Sequence, residues 1–428
     1  MIIKNYEHLA TSSSRKQVLR ILEAGLTAID TDNLMRERFF YDKKEDALYI
    51  NNKKYDVRDY KKVVVVGAGK MASKAALGIE AAMLDRLDGG IVIDIVPADL
   101  KKIVSRVGTH PLPTGANVHA TNDIITMLNN LTEQDLVICI IGGGGSSLMT
   151  SPQVISIEEE RSITQALMAS GADIGEMNTA RKHFSQIKGG GLAKLAYPAR
   201  VISLIFSDVP GDDISMVASG PTVKDATTVS DAMAIMNKYK ILQKCNIDKC
   251  GFIETPKEKK YFEHVENILF CSNKNALEAM EHKARDLGLR PKVWSSNFSG
   301  EAKQVAKELL DAVKPGQCLI AGGESVVTIE NHKHGAGGRN QEMGLAALMH
   351  IPEGVVFAAL ASDGRDNSDV AGALVDASSM VQVKQRHLDL RTALENHDEY
   401  ATLLDINAAI MTGVTGSNVS DLLVCIKE

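Results

Sequence analysis

The chain of 428 residues is too long for one ordinary hydrophobic core and is expected to divide into two or three domains, at ~150 residues each. Its composition, 44% hydrophobic and 24% charged, is that of a globular protein and excludes long disorder. With 4% aromatics, one tryptophan (Trp294), a net charge of -6 and dispersed Lys and Arg, it offers neither stacking platforms nor a phosphate-backbone footprint, which excludes nucleic acid as a partner.

In chain order, Met1 to Tyr6 lack the basic-then-apolar pattern of a secretion signal. No segment approaches the ~18 apolar residues of a membrane span, so a cytoplasmic protein with no membrane partner is expected. Residues 15 to 29 space Val18, Leu19, Ile21, Leu22, Leu26 and Ile29 as an amphipathic helix, and residues 40 to 60 read as a polar hairpin-like region. Short, wholly apolar runs follow at 63–66, 90–93, 136–141 and 201–206, a pattern that suits strands buried on both faces of a parallel sheet. Helical stretches alternate with them at 71–87, 120–131, 158–169 and 179–195, giving the βαβα order of a doubly wound fold. Residues 240–262 look linker-like. A second α/β series then runs through strands at 267–271, 292–294, 318–321, 326–329, 355–361 and 422–426, with helices at 277–287 and 302–313. The expected fold is therefore α/β with two α/β domains: residues 1–240 around a Rossmann-like parallel sheet, and a smaller one over 241–428. The six cysteines show no metal-ligand spacing, and Cys139 and Cys318 sit inside apolar runs, as small buried hydrophobes in a reducing compartment.

Chemistry concentrates in glycine-rich turns after the strands. The string Gly67-Ala-Gly69-Lys70-Met-Ala72 joins a strand to a helix, and its glycines let backbone N–H groups approach an anion at the helix N-terminus. It also fits a weak dinucleotide fingerprint, although Asp94 is displaced from the place of a ribose-binding acid and Lys70 suits a phosphoryl group better. Gly142-Gly143-Gly144-Gly145-Ser146-Ser147 is a stronger signal, because four consecutive glycines cost conformational entropy that close approach to a ligand would offset. The segment from Asn178 through Arg181 to Lys188 and Gly191 could meet an anionic substrate or be a solvated basic face. Asp208, Asp212 and Asp213 follow another strand, where carboxylates bind Mg²⁺ or accept a proton from an attacking hydroxyl; turn formation is the alternative. Further along stand Gly322-Gly323-Glu324-Ser325, the Gly337-Gly338-Arg339-Asn340-Gln341-Glu342 string, the acids of Ser362 to Asp369, and Thr412 to Asn418. His110 is read as a turn histidine rather than a base.

Taken in order, GAGKMA (67–72), GTHPLPTGAN (108–117), GGGGSS (142–147), NTARKHFSQIKGGGLA (178–193), SDVPGDDISMVASGPT (207–222), GGES (322–325), GGRNQE (337–342), SDGRDNSD (362–369) and TGVTGSN (412–418) resemble the class II glycerate kinases, whose C-terminal half carries the MOFRL module. The resemblance spans nearly the whole chain. It implies transfer of the ATP γ-phosphoryl group to D-glycerate, typically at the 2-hydroxyl, in a cleft between a Rossmann-like domain and a smaller MOFRL-type one. Carried over, Lys70 contacts phosphate, Asp208 serves as base or in metal-linked work, and Arg339 is the cation at the transferring group. Gly67, Gly69, Gly143, Gly144, Gly145, Ser146, Ser147, Arg181, Lys188, Glu324, Asn340, Asp363 and Gly364 are the expected substrate or nucleotide contacts, with Asp212 and Asp363 at Mg²⁺. The chain departs from the family where Ser362 replaces a threonine and where the loop after Asp366 is one residue shorter. Two other readings stand beside this one, an NAD(P)-dependent hydroxypyruvate reductase and a non-catalytic sugar-phosphate-binding regulator. A homo-oligomer is left open.

Overall fold

The computed structural model describes residues 1–329 and 335–428. Backbone contacts divide the chain into two units, Leu34–Ser207 with Asp212–Phe270, and Met1–Asn33 with Asp208–Gly211 and Cys271–Glu428. Three strands, β1 (Phe39–Asp42), β2 (Ala47–Ile50) and β3 (Lys53–Asp56), form a small antiparallel sheet at the position of the expected hairpin.

The first unit is built on β4 (Lys62–Ala68), β5 (Gly89–Asp94), β6 (Ile103–Val107), β7 (Asp135–Gly142), β8 (Arg200–Phe206) and β9 (Val265–Cys271), in the spatial order β6-β5-β4-β7-β8-β9. The five strands from β6 to β8 pair in parallel. Counted within the sheet this is the 3-2-1-4-5-6 order of a Rossmann fold, and the strand order reverses between β4 and β7. Both strands are buried on two faces, which is why they read as unbroken apolar runs. The helix Ala72–Met83 follows β4 and turns Ala75, Ala76, Ile79 and Met83 inward.

The second unit holds β10 (Arg290–Phe298), β11 (Gln317–Gly323), β12 (Val355–Ala361), β13 (Gly372–Asp376), β14 (Ala409–Ile410) and β15 (Asp421–Lys427), ordered β10-β11-β15-β12-β13-β14. Only β10 and β11 run parallel; the later pairs are antiparallel. Leu319, Ala321, Phe357, Ala359, Leu423 and Cys425 face one side of this sheet and share a core with Val305 and Leu309 of the helix Ala302–Ala312 and with Met343 and Ala347 of the helix Arg339–His350. By the period-2 alternation of strands, Cys318, Ile320, Ala358 and Val424 face the other side, where the helices Ser13–Ala28 and Asn273–Asp286 pack.

The division differs from the boundary expected at residue 240. Residues 241–270 belong to the first unit, because Ile241, Cys245, Ile247 and Phe252 pack on Ile163, Leu167, Met177 and Phe184, and β9 adds an edge strand. The first 33 residues belong to the second unit. There Arg15 is buried against Asp376, Nε to Oδ2 at 2.6 Å and Nη2 to Oδ1 at 2.9 Å, and also donates to Ser379 Oγ at 2.6 Å. The helix expected over 179–195 is two helices, Ile174–Lys182 and Gly191–Ala196, separated by a segment in which Ser185 bridges to Pro152. No strand spans 326–329; Val326 makes only an isolated bridge to Glu301. The edge strand β6, with its polar Ser105 and Arg106, gave no apolar run to read.

Candidate active site

The two turns that flank the reversal of strand order meet backbone to backbone. Lys70 N–H donates to Gly143 O at 2.9 Å and Gly69 N–H to Ile93 O at 3.1 Å. A Cβ on Gly69 would stand 2.9 Å from Gly142 Cα, and one on Gly67 would lie 2.1 Å from Ile140 O. Gly67 and Gly69 are close-packing positions in this structure. Their lack of a side chain lets the β4 turn lie against β7, and the amides of Gly69 and Lys70 are already bonded.

Asp94 fills the remaining position at this helix start. Its carboxylate accepts from Ser73 N at 2.9 Å and from Ile95 N at 2.6 Å, and the residue is 2% exposed. Burial pushes its carboxyl above the usual range, against those N–H donors. A dinucleotide pyrophosphate would need the amide that Asp94 holds.

The β7 turn is different. Gly144 has φ +81, and among the described residues the N–H groups of Gly144, Gly145 and Ser146 have no acceptor. A Cβ at Gly144 would lie 3.1 Å from His110 Cδ2 and 3.3 Å from Lys70 Cγ. The lysine stem and the imidazole thus border the segment that leaves its amides open, in the crevice where open α/β sheets bind ligands. Ser146 Oγ contacts Ser219 Oγ at 2.9 Å, and Ser219 in turn donates to Asn178 Oδ1 at 2.7 Å. Ala218, Ser219 and Gly220 all have positive φ, a conformation costing ~1–3 kcal/mol per non-glycine residue and maintained only where its surroundings enforce it. Ser147 Oγ donates to Pro111 O at 2.5 Å, while Asn117 Nδ2 holds Ser147 O and Thr109 O at 3.0 Å each.

The basic segment turns inward. Lys188 is 1% exposed, donates to Thr150 Oγ1 at 2.6 Å and pairs with buried Glu160 at 3.4 Å. Burial lowers the pKa of Lys188 and of Arg181, with Glu160 opposing in both cases. Lys188 is thus held in an internal ion pair.

In the second unit, Arg339 opens the helix Arg339–His350, and its guanidinium is clamped by two acids. Nη1 pairs with Glu324 Oε1, which follows β11; Nη2 donates to Asp421 Oδ1 at 3.0 Å, and Nε lies 2.7 Å from Asp421 Oδ2. Burial pushes the Asp421 carboxyl up to about 7, with Arg339 pulling it down. Burial also works against the guanidinium, but Asp421 and Glu324 outweigh it and raise its pKa. The guanidinium keeps its charge throughout. Asn340 is fully buried and donates to Asp421 Oδ1 at 2.9 Å and Asp366 Oδ1 at 3.2 Å, tying the two acids together.

Asp208 is held at the same end of this sheet. Asn418 Nδ2 donates to its Oδ2 at 3.1 Å, and Ser420 Oγ donates to its carbonyl. Ser420 immediately precedes Asp421, so one short segment fixes both Asp208 and the clamp on Arg339. Asp363 is half-buried, its Oδ1 accepting from Arg365 N at 3.0 Å. At Gly364 a Cβ would meet Gly413 O at 1.9 Å, which makes it a packing position. Asp212 lies in the first unit with φ +60. Asp212 and Asp363 are not part of the cluster of three ligand-type side chains found among the described residues. Asp421 was missed in the sequence, and Asn178, Ser219 and Asn418, though they lie in the strings noted there, were given no role.

Residues 17–249 match a domain of unknown function, DUF4147, and residues 317–421 match the MOFRL family. A glycerate 2-kinase of Pyrococcus horikoshii is 34% identical, over 89% of this chain and 90% of its own. The chain belongs to the class II glycerate kinase family. A crystal structure of glycerate kinase from Thermotoga maritima covers 97% of the chain and 100% of its own, at 29% identity and a TM-score of 0.82. An Agrobacterium vitis protein named putative hydroxypyruvate reductase is 38% identical over 84% of this chain and 86% of its own. Among the described residues of this class II glycerate kinase family member, no helix is long and apolar enough to cross a membrane.

Proposed function

We propose that the protein transfers the γ-phosphoryl group of ATP to the 2-hydroxyl of D-glycerate, giving 2-phosphoglycerate. The observation that carries this reading is the β7 turn. It presents unbonded amides beside the Lys70 stem at the reversal of strand order, a fit for phosphate oxygens. Phosphoryl transfer asks a protein mainly to position groups and neutralise charge. Lys70 supplies a cation to the phosphates. Arg339, oriented by Glu324 and Asp421, supplies the cation for the transferring group, and Asp208, oriented by Asn418, accepts the hydroxyl proton. Bound Mg²⁺ would neutralise phosphate charge, with Asp212 and Asp363 as its candidate carboxylates. Six free cysteines fit a reducing, cytoplasmic setting.

The name of the Agrobacterium vitis relative favours a second reading, reduction of hydroxypyruvate by a nicotinamide cofactor. The helix start after β4 argues against it, because Asp94 already occupies the Ser73 amide. Incubation with ATP, Mg²⁺ and D-glycerate, read by ³¹P NMR, should yield the 2-phosphate ester. NADH consumption with hydroxypyruvate and no phosphoglycerate would replace this reading with the reductase.

A further inference from the structure

Outside the residues used above, one cluster combines ligand chemistry with an unsatisfied atom. Glu342 sits in the first turn of the helix Arg339–His350, three residues after Arg339, and is 1% exposed. His397 and Glu399 come from the start of the helix Glu399–Asp405 and the residues before it. One ligand atom from each of the three lies within 4.8 Å of the others, and His397 Nδ1 stands 2.9 Å from Glu342 Oε2. Glu399 is also 1% exposed, and its Oε1, fully enclosed, has no hydrogen-bond partner. A carboxylate oxygen buried without a donor is expensive, so it points to a ligand. Among the described residues, Lys303 Nζ pairs with Glu342 Oε1 at 3.6 Å from a half-exposed side chain.

We propose that Glu342, His397 and Glu399 form a structural site for a divalent transition-metal ion, Zn²⁺ in the first instance. One imidazole and two carboxylates are donors that suit Zn²⁺, whereas Mg²⁺ and Ca²⁺ prefer an all-oxygen shell. Bonds of ~2.0–2.2 Å require donors within roughly 4 Å of one another, so the set closes on an ion by small side-chain rotations. A water reaching past the partly exposed His397 supplies the fourth ligand.

The site has a structural consequence. A Cβ on Gly337 would lie 2.0 Å from Glu399 Oε2, and Tyr400 N–H donates to Ala336 O at 3.0 Å. The cluster therefore backs directly onto the segment that delivers Arg339. An ion held there would fasten the start of the Arg339 helix to the 397–399 turn. This inference does not depend on the phosphoryl-transfer reading, since it concerns side chains assigned no part in that reaction.

The test uses the full chain, stripped with chelator and dialysed. Titration calorimetry with Zn²⁺ should show binding that falls by at least about tenfold in His397→Gln, a partly exposed position where folding should survive, and in Glu399→Gln. Crystals of the unmodified protein soaked in Zn²⁺ should give an anomalous peak between the three side chains. Zn²⁺ should also raise the melting temperature of the parent and not of His397→Gln. A Zn²⁺-soaked crystal without a peak at this position, or variants that bind and respond to Zn²⁺ like the parent, would overturn the proposal.

Discussion

The two units surround the cations proposed for phosphoryl transfer differently. In the first, Lys70 is placed by backbone: a turn packed on β7, with the side-chain stem running beside Gly144 and His110. In the second, Arg339 is placed by charge, between Glu324 and an Asp421 that is wholly buried. A lysine is a compact charge on a flexible stem, whereas a guanidinium has a planar fork that two acids can orient. The contrast separates function from stability. Removing the lysine should change the reaction, while disturbing the arginine clamp should also change the fold around it.

Lys70→Ala gives the largest expected effect, a fall in kcat of ~10³-fold or more with little change in melting temperature, because loss of a transition-state cation acts on rate. Steady-state kinetics and a thermal melt on the same preparation check both halves. Asp421→Ala should be the opposite case. It strips the guanidinium of a buried partner and should destabilise the protein by about 3–5 kcal/mol in chemical denaturation, with activity lost alongside. Equal destabilisation by the two variants would erase the contrast. Gly144→Ala comes next. At φ +81 a side chain is strained by ~1–3 kcal/mol, and its methyl would press on His110 and Lys70. We expect a measurable loss of kcat with the KM for glycerate less affected.

Much of the first unit was legible because parallel strands buried on two faces leave continuous apolar runs, and because turns at their ends need glycine. The role of each glycine was not legible. Gly69 and Gly144 are both glycines after a β-strand, yet one serves packing and the other leaves amides open, a difference set by which carbonyls lie nearby. The second unit was harder. Asp421 precedes an apolar run and looks like an ordinary strand boundary, but β15 runs antiparallel to β11 and β12, so its first residue lands beside their last. Nothing local to Asp421 announces that pairing. The membership of residues 1–33 in the second unit rests on the Arg15–Asp376 contact and on apolar packing across hundreds of residues, which no local pattern encodes.

That same contact supplies the smallest and most specific test. Burial alone would raise the Asp376 carboxyl, but Arg15, Ser378 and Ser379 together hold it below the usual carboxylate range. A carboxyl with a depressed pKa in the folded state contributes stability that is complete above the unfolded value of ~3.9 and is lost as pH falls through the folded one. Unfolding free energy should therefore decline below about pH 4, and Asp376→Asn should flatten that part of the profile while lowering stability at neutral pH. Glu80 and Asp225 also have lowered values, so the quantity that matters is the difference between variant and parent curves. A difference that stayed constant from neutral pH to pH 2 would mean that Arg15 holds the amino-terminal helix by packing rather than by charge. The second unit would then resemble the first in relying on shape to place its elements.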